Sequence, residues 1–172
     1  MPAFQLPSSG TEYFESLSKS LSSEGYSVAP ATSIGRYKLD LLSAKSSLEA
    51  AKLGEVTRFI IGTTLDSLTS DLVGDFSSVA TKYALENKDS LLPRGVFSMV
   101  FSFPFIATGE ITDDLKAWIA DTVPPKHWSA SEFPVLISLK EHEIYFCRKT
   151  PMWGAAYYSG LRKFADKEFR VW

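Results

Sequence analysis

The sequence is poor in the residues that announce a chemistry. Its 172 positions hold one cysteine, Cys147, and two histidines, His127 and His142. One cysteine cannot close an internal disulfide, and a zinc site of the usual His/Cys kind is poorly supplied. No apolar stretch approaches the roughly 20 residues that cross a bilayer. The longest, Val96 to Ala107, is interrupted by Ser98, Ser102 and Pro104. Met1 to Pro7 lacks the basic and apolar blocks of a secretory signal. The expectation is a cytoplasmic protein without membrane attachment. A basic excess is missing too: 18 Lys and Arg face 20 Asp and Glu, for a net charge of −2. That argues against an electrostatic grip on nucleic acid by the whole surface and leaves only a local basic patch. Neither glycine fingerprint of nucleotide-binding loops occurs, and no repeat or low-complexity tract is present.

What the chain does have is bulk. Apolar residues make up 45% and aromatics 13%, enough for one domain with a large core. The clearest pattern lies in the last third. Phe133–Leu139 and Ile144–Arg148 are rich in β-branched and aromatic residues and flank the polar Lys140–Glu143, as in a β-hairpin. Phe133–Leu139 is apolar at nearly every position, which predicts a strand covered on both faces.

Earlier segments alternate between the two periods. Residues 1–10 read as a loose arm. Thr11 is placed to cap a helix carrying Phe14, Leu17 and Leu21 on one stripe, stopped by Gly25. Tyr26–Ala29 reads as a short strand and Arg36–Ser43 as an alternating one. Ser46-Ser-Leu-Glu49 has capping-box spacing and predicts a short helix to Leu53. A strand over Val56–Thr64 follows, then a helix with Phe76, Val79, Ala80, Tyr83 and Ala84 on one face. Pro93-Arg-Gly95 breaks the chain before a long strand at 96–107. Thr112 caps the next helix, Lys126-His-Trp128 lies in a loop, and Ala155–Phe169 forms the last helix. The expected architecture is α/β: one domain over 11–172, a mixed, mostly parallel sheet covered by helices, and a C-terminal antiparallel hairpin.

The first 43 residues carry a layout of helix, Gly25-Tyr-Ser-Val28, polar turn, and Arg36-Tyr-Lys-Leu-Asp40-Leu-Leu-Ser43. This resembles the opening of restriction-endonuclease-like proteins, especially the Mrr type. Phe76-Ser-Ser-Val-Ala80-Thr-Lys-Tyr83-Ala84 is similar to the helix that such proteins place after their core strands. The resemblance implies an aspartate on the second strand and an acid-x-lysine on the third, together holding Mg²⁺ and activating water. Asp40 would be the first ligand. The next strand, Val56–Thr64, contains no acid-x-lysine, and Glu55 and Lys45 are the nearest substitutes. A degenerate, nucleic-acid-associated member of that group is the implied function.

Other residues offer alternatives. Lys45-Ser46-Ser47, read as a helix start, suits an anion, although Ser46 as a plain helix cap is the simpler account. Asp66 with Thr63, Thr64, Ser67 and Thr69 follows a buried strand, the edge where α/β ligands collect; a cap for the next helix is the simpler account. A small-molecule enzyme would draw on Lys45, Asp66 and Thr108. His127 is a candidate general acid or base because imidazole titrates near neutrality, whereas Trp128 reads as a core plug. Lys126, Arg148, Lys149, Arg162 and Lys163, with Trp153, Tyr157 and Tyr158 among them, form a candidate anion or nucleic-acid surface; equally, Tyr158, Leu161 and Ala165 read as a helical core stripe with the basic residues simply exposed. Without a complete catalytic set, a non-catalytic binding or assembly protein, including a homo-oligomer, is the remaining reading.

Overall fold

A computed structural model of the chain describes residues 9–49, 54–88, 98–152 and 155–172. Helix α1 (Gly10–Ser23) begins one residue before the expected cap. Ser9, not Thr11, accepts the Glu12 N–H at 3.3 Å, so residues 9 and 10 belong to the helix rather than to an arm. Its buried positions, Tyr13, Phe14, Leu17 and Leu21, recur at helical spacing and lay one stripe on the sheet.

The expected strand at 36–43 is split. After β1 (Ser27–Val28), a hairpin of β2 (Thr32–Ile34) and β3 (Tyr37–Leu39) leads through Asp40 into β4 (Leu41–Glu49). The helix predicted from Ser46 does not form, and its end at 50–53 lies outside the described residues. Strand β4 runs through Ser46 to Glu49 and pairs with β5 (Gly54–Thr64) from Leu41↔Gly62 to Glu49↔Gly54. A capping box contributes about 1 kcal/mol, and the continuous ladder outweighs it.

From β5 the chain crosses through α2 (Ser70–Glu86, capped by Thr69) to β6 (Ser98–Thr108), which pairs parallel with β5 along ten positions. Helix α3 (Asp113–Asp121) carries the expected Thr112 cap. The segment expected as a loop at Lys126 pairs instead: β7 (Lys126–His127) runs antiparallel to β8 (Ala130–Glu132). Both β8 and β9 (Val135–Ser138) add parallel to the outer edge of β6, and β10 (Glu143–Phe146) closes the predicted hairpin. Helix α4 (Ala155–Glu168) ends the fold. The sheet order is β1-β4-β5-β6-β8-β7, with β9 also on β6 and β10 outside β9. It is the expected mixed sheet, with a parallel centre around β6 and antiparallel flanks.

Side-chain alternation divides the core. Helices α1 and α4 cover one face with Val56, Ile60, Phe101, Phe103, Phe105 and Ile137. On the other face α2, α3 and the β2–β3 hairpin pack over Phe59, Ile61, Val100, Ile106 and Leu136. Strand β9 is buried at every position, as a doubly covered strand should be. Among the described residues no helix is long and apolar enough to cross a membrane.

Candidate functional site

Asp40 sits at the bend between β3 and β4, at the carboxyl end of β5. Its N–H donates to the Gly62 carbonyl at 2.9 Å, and its Oδ2 accepts the Thr64 N–H at 2.7 Å. Neither Lys38 nor Arg36 pairs with it in the way a simple surface bridge would. Arg36 instead reaches Asp75 of α2 at 3.0 Å, where the Tyr37 hydroxyl also donates at 2.5 Å. The Tyr37 hydrogen bond, then the Arg36 charge, holds the Asp75 carboxyl below its ordinary range.

Asp40 lines a groove of about 680 Å³ between α1 and the end of β5. The helix side of the groove presents Thr11, Glu15, Ser18 and Lys19, and Thr64 stands beside Asp40. A second carboxylate and a lysine therefore border the same groove, contributed by α1 rather than by a neighbouring strand. Sequence reasoning missed both. Their signal was the i, i+4 spacing of Glu15 and Lys19 on the exposed side of an amphipathic helix.

The substitutes chosen from the sequence lie elsewhere. Glu55 is seven residues from Gly62 along β5, roughly 23 Å at an ordinary strand rise. Lys45 is on β4, and its Nζ donates to the Glu24 carbonyl at the end of α1, at 2.5 Å. It is not at a helix start, so no anion site forms there. Asp66 is exposed beyond β5, and Thr69 rather than Asp66 caps α2. Thr108 is buried at the end of β6 with its hydroxyl unpartnered. Lys45, Asp66 and Thr108 share none of the described cavities.

Gly62 decides whether a metal centre of the restriction-endonuclease-like kind can exist. Its backbone lies opposite Leu41 on β4 and Phe105 on β6. Its carbonyl accepts the Asp40 N–H, so it lies beside Asp40 on the strand where the resemblance would place an acidic ligand. A Cβ there would fall 2.0 Å from the Phe105 Cζ. The ring of Phe105, packed against Phe14 and Phe169 at centroid distances of 5.3 and 5.1 Å, fills the space. The two residues that follow are Thr63, whose hydroxyl is spent on the Lys38 carbonyl at 2.7 Å, and Thr64. Mg²⁺ demands near-octahedral oxygen ligands, and the sheet supplies a single carboxylate whose Oδ2 is already bound. Among the described residues no group of three or more His, Cys, Asp or Glu could hold a metal. The residues present do not fit the implied Mg²⁺ centre.

A second polar cluster lies on the other face. Glu132 of β8 is buried between two partners: the Ser77 hydroxyl of α2 donates to its Oε1, and His127 Nε2 lies 2.6 Å from its Oε2. Thr81, one turn beyond Ser77, donates to Ser102, the partner of Glu132 across β6 and β8, at 3.0 Å. The predicted base His127 is thus oriented by a buried carboxylate that the sequence did not single out. Ser77 sits on the far side of Glu132, so it cannot serve the imidazole as a nucleophile. Trp128 does not plug the core. It is 84% exposed at the tip of the β7–β8 turn, followed by Ser129 at φ 61°.

The predicted cations also separate from Asp40. Arg148 follows β10 and stacks on Phe146 at 4.3 Å, Lys149 pairs with Asp121 at 3.7 Å, and Arg162 donates to the Lys149 carbonyl and Thr150 hydroxyl. Because β10 runs antiparallel to β9, these groups lie toward the opposite end of the sheet from Asp40. Lys163 is exposed on α4, Lys126 lies on β7 at the sheet edge, and Trp153 falls outside the described residues. Cys147 is buried, and burial pushes its thiol up, which makes it a poor nucleophile.

The chain matches no family model, no curated protein and no solved structure.

Proposed function

We propose that the protein is a cleavage-incompetent domain of the restriction-endonuclease-like type that associates with nucleic acid. Strands β1, β4 and β5 stand side by side, Asp40 heads the second of them, and α2 follows the third, the layout that the resemblance implies. The observation that carries the reading is Gly62 under the Phe105 ring. On this reading Asp40 stands for the first ligand, and a side chain offered as the second from Gly62 would meet the Phe105 ring. What is left for nucleic acid is the cation-bearing end of the sheet, with Arg148, Lys149 and Arg162, together with the exposed Lys163 and Tyr157 of α4. The test is incubation with supercoiled plasmid in Mg²⁺ or Mn²⁺, alongside duplex retention at several salt concentrations. The plasmid stays intact, the duplex is retained at low salt, and Arg148→Ala with Lys163→Ala flattens the salt dependence. Nicking abolished by Asp40→Asn, or no retention at any salt, overturns the proposal.

A second reading, an assembly protein, is favoured by the exposure of Trp128 on a turn. Sedimentation of the protein and of Trp128→Ala separates the two. A concentration-dependent oligomer that the substitution dissolves supports assembly, and a strict monomer removes it.

A further inference from the structure

Between α4 and the amino half of the sheet lies a cavity of about 220 Å³, and of the residues singled out from the sequence as a binding surface only Tyr157 lines it. Its walls are the rings of Phe101, Tyr157 and Phe164 and the guanidinium of Arg58. Arg58 is fixed in place. Its carbon lies 5.6 Å from both the Phe101 and Phe164 centroids, and Glu49 holds it at 2.5 Å. Phe164 in turn packs on Phe103 at 4.4 Å. The result is a group of packed rings around one cationic plane, in which Tyr157 and part of Phe164 are accessible and Phe101 is all but buried.

Gly160 forms part of the helix wall. A glycine inside a helix is costly relative to alanine, and it is usually explained by something packed close against it. Here a Cβ would meet nothing within 4 Å. Gly74 of α2 is equally open but lines none of the described cavities. At position 160 the missing side chain keeps the cavity empty.

We propose that this cavity binds a nucleobase, its ring against Tyr157 and Phe164 and beside the Arg58 guanidinium. The volume is below the roughly 300–1,000 Å³ of pockets that enclose drug-sized ligands, so one planar base is the scale it suits. Ring faces with a guanidinium select a flat heteroaromatic over an aliphatic chain of equal size. The base can come from a free mononucleotide or from a single strand. The proposal shares Tyr157 with the surface of the duplex-binding reading, and the two fail separately because Gly160→Leu reads the cavity whereas Arg148→Ala with Lys163→Ala reads the surface.

The experiment is calorimetric titration of the full chain with adenosine monophosphate, a ten-residue single-stranded oligonucleotide, and ribose 5-phosphate as the baseless control. Gly160→Leu fills the cavity from an open helix position and leaves the melting temperature unchanged or higher. Tyr157→Ala is a second variant at a half-exposed position. Binding of the mononucleotide assigns a free nucleotide, and binding of the oligonucleotide alone assigns a strand. In either case Gly160→Leu weakens binding at least about tenfold and Tyr157→Ala about fivefold or more. Ribose 5-phosphate binding as well as the nucleotide, affinity unchanged in Gly160→Leu, or binding of neither nucleotide nor oligonucleotide overturns the proposal.

Discussion

Gly62→Ala tests the closure of the metal position, because the cost of one methyl group follows from the structure. The added carbon would lie 2.0, 2.3 and 2.6 Å from three carbons of the Phe105 ring. That ring cannot swing away, since Phe14 and Phe169 hold its other sides. Overpacking of this kind costs about 1–3 kcal/mol, and overlaps this deep belong near the upper end. Replacing glycine in a strand returns about 0.5–1 kcal/mol, so the net destabilisation is about 2 kcal/mol. For a chain of this size the melting temperature falls by about 4–8 °C. Phe105→Ala alone costs about 3–5 kcal/mol through the cavity it opens. In that background the obstacle is gone, and Gly62→Ala becomes stabilising by about 0.5–1 kcal/mol. The coupling between the two sites is then about 3 kcal/mol, and its signature is a reversal of sign. Thermal and denaturant unfolding of the four proteins in the cycle measures it. If Gly62→Ala has the same effect with and without the ring, Phe105 does not close this position and the argument against a second ligand there fails.

Other perturbations probe the polar clusters. His127→Ala leaves the Glu132 carboxylate buried with Ser77 alone and should cost about 2–3 kcal/mol, with Glu132→Gln in the same chain recovering part of it; if denaturant midpoints show no recovery, the charge of Glu132 is not what His127 compensates. Glu168, buried at the end of α4, has Oε1 on Lys167 Nζ at 2.8 Å and Oε2 without a partner, and burial raises its carboxyl above the ordinary range. A raised carboxyl favours the protonated fold, so its contribution is most favourable below the unfolded value and is lost as pH rises through the folded one. Glu168→Gln should therefore raise the melting temperature at pH 7, with the gain shrinking toward pH 4; a constant gain across that range would show that ionisation is not its source. Arg170 holds the Glu143 carboxyl below its ordinary range, at 2.9 Å, so this pair contributes above the unfolded value and fades on acidification. Arg170→Ala should lose stability at pH 7 but not at pH 3, as thermal melts across that range would register.

Much of the architecture was legible from residue order because it rests on periodicity. The stripes of α1 and α2, the Thr112 cap, the doubly covered strand after Phe133 and the turn at Lys140–Glu143 are all local patterns, and each appears in the fold. Where a local pattern met a tertiary ladder, the ladder decided. Ser46–Glu49 has the spacing of a helix start, but nine paired positions with β5 hold it extended. Lys126 and His127 look like loop and become an edge strand because β8 lies beside them. Ser77 and Thr81 stand outside the stripe read from the sequence, yet both are buried and donate to Glu132 and Ser102 of the sheet. The sites depended most on the third dimension. That Asp40 lacks an acid-x-lysine partner is plain from Val56–Thr64. That Glu15 and Lys19 border its groove, that Phe105 closes Gly62, and that Arg58 is clamped between two rings all follow from contacts across strands and helices. A spacing rule reaches one turn or one alternation along the chain, and these contacts join segments far beyond that reach.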